Sequence, residues 1–489
     1  MNPLLLTDGY KVDHRRQYPN ETTLVYSNWT PRKSRIEGVD EVVFFGLQYF
    51  IKKYILDEFK TQFFDQPKEK VVARYSRRIN TYLGENQVGT KHIEDLHDLG
   101  YIPMVFKALP EGSTVPLRVP MFTMYNTKPE FFWLTNYFET LLSAVVWMPC
   151  TSATIAKQYR LVLDKYAEET SSIPEFVDWQ GHDFSMRGMA GIEAAVISGM
   201  GHLLNFTGTD TIPAIDALET YYNANSESEL IGGSVAATEH SVMCMGTTEG
   251  EYETFKRLIC DVYPKGIVSI VSDTWDLWKV LTDYLPRLKG EIVTREGKVV
   301  VRPDSGDPVL IICGNPDGKT EQERKGVIEL LWDVFGGTVN TKGYKELVPQ
   351  IGAIYGDSIT VERATRICQM LKEKGFASTN VVLGIGSYTY QYNTRDTFGF
   401  AMKATYGEVD GIGREIFKDP ITDDGTKKSA KGLMKIEKIN GEYQLKDQVT
   451  WEEEEQGELK EVFRDGMLLI DDSLTAIRER MKETVMETL

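Results

Sequence analysis

The sequence is short of cysteine, histidine and net positive charge. Five cysteines (Cys150, Cys244, Cys260, Cys313 and Cys368) are spread over 489 residues with no C-x-x-C pair. An odd, widely spaced set argues against a disulfide framework and against a thiolate metal site, and fits a reducing, cytoplasmic setting. Of the six histidines, His92 and His97 are five apart, but nothing else nearby completes a zinc site. Lys and Arg number 55 against 72 Asp and Glu, a formal charge of −17. That charge argues against general binding to nucleic acid or anionic membrane, which need a positive surface. It leaves room for a small anionic substrate held by a local cluster of Arg and Lys.

Long apolar runs are absent too. The longest, Leu141 to Cys150, falls short of the roughly 20 residues a bilayer span requires. Met1 to Lys11 reads as neither signal peptide nor span, since Asp8 follows directly on the short Leu4–Leu6 run and Thr7. No tandem repeat, low-complexity stretch or Pro/Ser-rich linker divides the chain. Its length exceeds one ordinary core, so two or three packed modules are expected.

What is present is a rhythm in the middle third. Candidate strands at Val177–Phe184, Leu204–Asp210, Ser234–His240, Ile267–Asp273, Val299–Asp304, Gly352–Asp357 and Asn380–Gly386 alternate with helix-like stretches. Three of these carry the 3.6-residue pattern: Met189, Ile192, Val196 and Leu203; Val327, Leu330, Leu331 and Val334; Val361, Ala364, Cys368 and Leu371. Strand–helix alternation predicts a parallel sheet, and this many units predict an irregular, TIM-like α/β barrel. The expected division is an α/β barrel over 172–392, a β-rich domain from 1–26, 104–139 and 393–465, and a helical module from 27–103, 140–171 and 466–489. Helices are expected at Phe44–Lys60, Lys68–Leu83, Glu130–Trp147 and Ser473–Thr488, and strands at Tyr101–Pro116 and Val119–Tyr125. Leu433–Ile439, Asn440-Gly441 and Tyr443–Lys446 read as a hairpin, and Glu452–Glu455 as a solvated turn or edge.

In a barrel of this kind the active site lies at the C-terminal ends of the strands. Those ends supply Asp183, Asp210, Glu239-His240, Asp273, Arg302 with Asp304, Asp357, and Gly384 with Gly386. A single strand-end Asp can do no more than cap the next helix. The whole set, with its Arg and His, describes a site for magnesium and phosphate. His240, beside Glu239, suits a base or phosphate acceptor. Arg302 and Asp304 are two apart and face one way on a strand, suiting phosphate and Mg²⁺ or ribose hydroxyls. Gly384-Ile385-Gly386-Ser387 would let backbone N–H groups approach phosphate. Gly314-Asn315-Pro316-Asp317-Gly318-Lys319-Thr320 superficially matches a P-loop, but has three residues between its glycines where four are needed. A surface loop is expected there.

Further segments carry a resemblance. They include Leu6-Thr7-Asp8-Gly9-Tyr10-Lys11, Phe45-Gly46-Leu47-Gln48-Tyr49, Trp133-Leu134-Thr135-Asn136, and His182-Asp183-Phe184 with Arg187. Asn205-Phe206-Thr207-Gly208-Thr209-Asp210-Thr211, Ala237-Thr238-Glu239-His240-Ser241, Val271-Ser272-Asp273 and Arg302-Pro303-Asp304-Ser305-Gly306 follow in order, then Thr394-Arg395-Asp396 and Phe417-Lys418-Asp419-Pro420. From near its first residue to its last module the chain resembles the type II phosphoribosyltransferase family, in its nicotinamide-using branch. The resemblance implies transfer of nicotinamide onto phosphoribosyl pyrophosphate in NAD salvage, with Mg²⁺, ATP as co-substrate, and a homodimer with shared active sites. It implies a pyridine ring between Phe184 and the partner chain's equivalent of Tyr10, with Asp8 and Arg187 close by and Asp210 reading the amide. Arg302, Asp304, Gly356, Asp357, Gly386 and Ser387 would surround ribose and phosphate, and Arg395, Lys403 and Lys427 would reach phosphates across the dimer. His240 would be the residue phosphorylated by ATP, with Glu239 and Asp273 beside it and Asp273 and Asp304 near Mg²⁺. Departures are Ser387 for a phosphate-loop glycine, Ala401 for the vertebrate Ser, and a Thr422–Lys431 loop longer by about one residue. The competing expectations are a nicotinate-using enzyme, a non-catalytic binding protein on the same scaffold, and a phosphate-binding sugar isomerase.

Overall fold

The computed structural model describes residues 1–356, 358–418, 421 and 430–488, the side chains of 483–488 excepted. The chain forms two compact units. One comprises Met1–Thr154, Ala217–Ala224 and Asn393–Thr484; the other comprises Ile155–Asp216, Asn225–Tyr392 and Val485–Leu489.

The first unit is built on a seven-stranded antiparallel sheet. Thr22–Thr30 pairs with Ala401–Val409 on one side and Phe122–Asn126 on the other. The hairpin of Leu433–Ile439 and Glu442–Val449 turns at Asn440 and Gly441, both at positive φ (53° and 89°). That is the backbone twist a two-residue hairpin needs, and it explains the Asn-Gly pair. Helix Lys68–Leu83 buries Val71, Tyr75 and Ile79, one face at a four-residue spacing. Two expectations for this unit fail. The strand expected over Tyr101–Pro116 is two, Met104–Ala108 and Thr114–Pro116, parted by a turn. Trp451–Glu455 is a short helix fixed by a Thr450/Glu453 capping box, and it turns Glu454 into the interior. There Glu454 meets the Lys107 ammonium and accepts from the Tyr26 hydroxyl at 3.3 Å. A buried carboxylate is tolerable only with such partners.

The second unit holds the parallel sheet. Its strands are β1 (Gly181–Asp183), β2 (Gly208–Thr209), β3 (Ala236–Ala237), β4 (Gly266–Val271), β5 (Gly297–Arg302), β6 (Ile351–Tyr355) and β7 (Val381–Ile385). They pair in the order β2-β1-β7-β6-β5-β4-β3, every neighbour parallel. The fold is thus mixed α/β with a curled parallel sheet beside other sheets. An isolated parallel bridge joins Gly208 to Gly233, three residues before β3.

Several strands are shorter than the sequence suggests. Val177–Gln180 is helical, led in by the Pro174–Phe176 turn. Leu204–Phe206 is a turn tied back to His202, so β2 keeps only Gly208 and Thr209. β3 ends where the Thr238 hydroxyl accepts the Val271 N–H at 2.9 Å, a side chain standing in for the ladder. Glu239 then turns away and His240 opens a helix (His240–Met245) instead of ending a strand. Helix Ile192–His202 also departs from the expected face. Ile192 is exposed, and Ala195 with Ile197–His202 is buried. Gly314–Thr320 is a loop leading to a Thr320/Glu323 capping box that starts helix Glu321–Phe335.

Candidate active site

The inward faces of β1 and β3–β7 line a cavity of about 370 Å³. Lys298, Val300 and Arg302 are alternate residues of β5 and all line it, as a pleated strand dictates. Its walls are mainly apolar (Val235, Ala237, Ile267, Ile354, Val382), with His182, Phe184, Asp210, Ser234 and Arg302 at the end set by the strand C-termini.

The Phe184 ring sits where only glycine leaves room, since a Cβ on Gly384 would fall 2.6 Å from the ring. His182 packs on it at 4.6 Å between centroids, and the Arg302 guanidinium lies 5.1 Å from its centre. A cation over an aromatic face is attracted by the ring quadrupole. Beside this ring, Asp210 Oδ1 accepts from His182 Nε2 at 2.9 Å and from Ser234 Oγ at 2.7 Å. Burial pushes the Asp210 carboxyl up, but the His182 bond and charge, the Ser234 hydroxyl and the Arg302 charge outweigh it. The group settles below the usual carboxylate range, so Asp210 is an anion at neutral pH.

Asp183 proves to be a brace. It is fully buried, taking the Ser185 N–H on one oxygen (2.9 Å) and the Thr211 hydroxyl on the other (2.8 Å). It thereby holds the two loops that carry Phe184 and Asp210. His182, Ser234 and Lys298 also line this cavity, although the motifs gave them no role. The available signals were the i, i+2 spacing of His182 to Phe184 and of Lys298 to Val300 and Arg302.

On the neighbouring strands, Asp273 Oδ2 accepts from the Asp304 N–H (2.8 Å), the Ser305 N–H (2.8 Å) and the Ser305 hydroxyl (2.6 Å). Its other oxygen is buried without a hydrogen-bond partner, 3.8 Å from His240 Nε2. The His240 side chain is half exposed. Glu239 accepts the Ser241 hydroxyl. Asp304 and Arg302 converge on Gly356, where a Cβ would meet Asp304 Oδ1 at 2.7 Å and Arg302 Nε at 3.1 Å. Arg302 Nε is also buried without a partner. After β7, Gly386 has open space around it and precedes a short helix begun by Ser387. Ser387 Oγ occupies the spot a Cβ on Gly188 would fill, and Arg187 beside it is exposed. Asp357 and Lys427 lie outside the described residues.

Among the described residues, four expected site residues belong to the first unit. Tyr10 is exposed, with the Lys11 ammonium 5.1 Å from its ring. Asp8 accepts the Thr140 hydroxyl at 2.9 Å. Arg395 lies beside Asp396 at 3.2 Å. Lys403 is pushed below the ordinary lysine value by burial and then by Arg32, with Lys418 and Arg395 adding to it and Glu139 opposing. Crowded cations of this kind are relieved by an anion such as phosphate.

A ring slot beside a cluster of phosphate-binding residue types marks a transferase class in which a flat base meets a phosphorylated sugar. Comparison with known proteins gives that class its family. The nicotinate phosphoribosyltransferase (NAPRTase) family model matches residues 179–467, and the chain belongs to that family. The model of the nicotinamide phosphoribosyltransferase N-terminal domain matches residues 2–99. A nicotinamide phosphoribosyltransferase of Acinetobacter baylyi is 54% identical, covering 99% of this chain and 97% of that protein. One of Mycoplasma pneumoniae is 39% identical, covering 88% and 94%. Two solved structures share the fold at low identity. Nicotinate-nucleotide pyrophosphorylase of Pyrococcus furiosus has a TM-score of 0.60 at 13% identity, over 99% of this chain and 96% of that one. Human nicotinic acid phosphoribosyltransferase has a TM-score of 0.55 at 16%, over 98% and 93%.

Proposed function

We propose that the protein is a nicotinamide phosphoribosyltransferase of NAD salvage, joining nicotinamide to phosphoribosyl pyrophosphate and releasing pyrophosphate. The observation that carries this reading is Asp210, an anionic carboxylate at the edge of the Phe184 slot. An amide N–H can donate to it, whereas the carboxylate of nicotinate would be repelled, an unfavourable pairing of several kcal/mol when desolvated. The names of the relatives from Acinetobacter baylyi and Mycoplasma pneumoniae support the same choice.

The mechanism follows from the residue types. Displacing pyrophosphate from ribose C1 builds positive charge on the sugar and negative charge on the leaving group. Arg302, whose Nε is without a hydrogen-bond partner, would hold phosphate through its guanidinium, and Gly386 would admit a phosphate to the backbone N–H groups near Ser387. Phe184 would fix the ring for attack, and its face suits the pyridinium that results. Ordered approach of a weak neutral nucleophile can supply roughly 7–11 kcal/mol of rate enhancement. The donor set fits Mg²⁺: Asp273 keeps one buried oxygen without a hydrogen-bond partner, and Asp304, whose backbone N–H donates to the other oxygen, would supply a second carboxylate. No group of three or more His, Cys, Asp or Glu side chains gathers for a metal among the described residues. When bound, Mg²⁺ would neutralise the departing oxygens.

The finer parts of the reading rest on the family resemblance. We assign His240 as the phosphate acceptor from ATP, with Glu239 and Asp273 orienting it. The parallel sheet is read as a TIM-like barrel, the Gly208–Gly233 bridge supporting closure, beside a β-rich domain and a helical module. Tyr10, Asp8, Arg395, Lys403 and Lys427 are assigned to sites shared in a homodimer, and the enzyme to the cytoplasm. No single helix among the described residues is long and apolar enough to cross a membrane.

Incubation with phosphoribosyl pyrophosphate, Mg²⁺ and either nicotinamide or nicotinate, with and without ATP, tests the reading. Nicotinamide mononucleotide should form, faster with ATP. Turnover of nicotinate alone would replace this reading with a nicotinate-using enzyme.

A further inference from the structure

Asp210 can read an amide only if it turns the right oxygen towards the slot. A free aspartate rotates about its Cβ–Cγ bond and presents either oxygen, or points away. Here Oδ1 is engaged twice, by His182 Nε2 at 2.9 Å and Ser234 Oγ at 2.7 Å. Among the described residues nothing donates a hydrogen bond to Oδ2, and the side chain remains 44% exposed. The two donors therefore leave one acceptor oxygen available and fix its direction.

The imidazole is itself fixed. It comes from β1 and packs against Phe184, the other wall of the slot, at 4.6 Å. Its Nδ1 lies against Gly208, where a Cβ would come within 2.8 Å of it. A carboxylate accepts and never donates, so the proton shared with Asp210 is carried on His182 Nε2. The ring therefore touches both elements that would contact a bound base, while its own donor is spent on Asp210.

We infer that His182, assisted by Ser234, is a positioning residue that sets the preference for an amide-bearing ring by locking Asp210 with Oδ2 towards the slot. This rests on the reading of Asp210 as the amide acceptor given above. With His182 absent, Asp210 would lose its main orienting donor and rotate. Binding of the neutral amide would weaken, while bond-making at ribose C1, which neither residue touches, would proceed at the same rate once the ring is bound.

The test is steady-state kinetics with nicotinamide on the wild type, His182→Leu, His182→Gln and Ser234→Ala, together with melting temperatures. Glutamine places a side-chain N–H at about the distance of the imidazole Nε2. His182→Leu should raise KM for nicotinamide about tenfold, the effect of losing a hydrogen bond to a charged group, and leave kcat within about twofold. His182→Gln should recover most of the loss, and Ser234→Ala should show a smaller rise in KM. A merely structural role would lower the melting temperature and lower kcat without this split or the glutamine rescue. If His182→Leu does not fold, Ser234→Ala decides alone: an unchanged KM overturns the inference. So does an unchanged KM in a folded His182→Leu. A wild type that makes no mononucleotide from nicotinamide would overturn this inference and the functional reading together, whereas an active wild type with indifferent variants overturns this one only.

Discussion

His240 Nε2 and Asp273 Oδ1 stand 3.8 Å apart, and that oxygen is the one Asp273 has not committed to hydrogen bonds. The other oxygen secures the backbone of Asp304 and Ser305. A single carboxylate thus braces the loop carrying Asp304 and leaves its second oxygen facing the imidazole. The contact would tighten to a hydrogen bond with less than 1 Å of movement.

The half-exposed imidazole is the expected phosphate acceptor. His240→Ala should abolish ATP hydrolysis and ATP stimulation, while slow mononucleotide formation without ATP persists. Phosphate release and acid-labile labelling from γ-labelled ATP measure this. Label retained on the variant would refute the assignment.

Gly356 lacks a side chain where Asp304 and Arg302 meet. Gly356→Ala should displace the ends of these two side chains more than the fold. Activity should fall by roughly 10²-fold, as misplacement on the order of 1 Å can cost, with the melting temperature changed little. Equal losses of stability and activity would show that the glycine serves only packing.

Glu111 is buried in the first unit, with its oxygens taking the Gly46 and Gln48 N–H groups and the Tyr222 hydroxyl. Burial raises its carboxyl from 4.5 to about 7 against those bonds. The folded state then holds a proton that the unfolded chain gives up near 4.5. Stability contributed by this group is therefore full below 4.5 and declines as pH rises to about 7, by about 3 kcal/mol for a shift of this size. Glu111→Gln, which would set an NH₂ against these donors, should destabilise by roughly 1–3 kcal/mol at pH 5. That gap should close or reverse at pH 8 in denaturant titrations, and a gap independent of pH would contradict the argument.

Lys298 lines the cavity wall with no acid partner among the described residues, its nearest aromatic being Phe176 at 5.9 Å. Burial lowers its pKa from 10.5, so the folded state bears a penalty while the amine is charged, and that penalty fades as pH rises towards 10.5. Lys298→Met should raise the melting temperature at pH 7 by about 2–4 °C, the shift that 1 kcal/mol gives in a domain of this size. The difference should shrink near pH 10. A lower melting temperature would mean that the ammonium has a stabilising role.

Local signals made much of the fold legible. The Asn440-Gly441 turn, the four-residue spacing of Val71, Tyr75 and Ile79, and the polar ends of β4–β7 depend on residues adjacent in the chain. Misreadings arose where distant groups decide. Thr238 ends β3 by bonding to Val271, 33 residues away. Glu454 is buried because Lys107, 347 residues away, meets it. Asp183 ends one short strand and Asp210 follows another, and the two look alike in sequence, yet one braces loops and the other faces the cavity. The donors that separate them, Thr211 for Asp183 and His182 and Ser234 for Asp210, lie 24 to 28 residues away.

The central claim is that the Asp210 anion selects an amide. Its most direct test is the ratio of kcat/KM for nicotinamide to that for nicotinate, measured for the wild type and for Asp210→Asn, which can donate to a carboxylate. The ratio should strongly favour nicotinamide in the wild type and fall at least about tenfold in the variant, the effect of reversing one polar contact to the bound ring. An identical ratio in the two proteins would contradict the account.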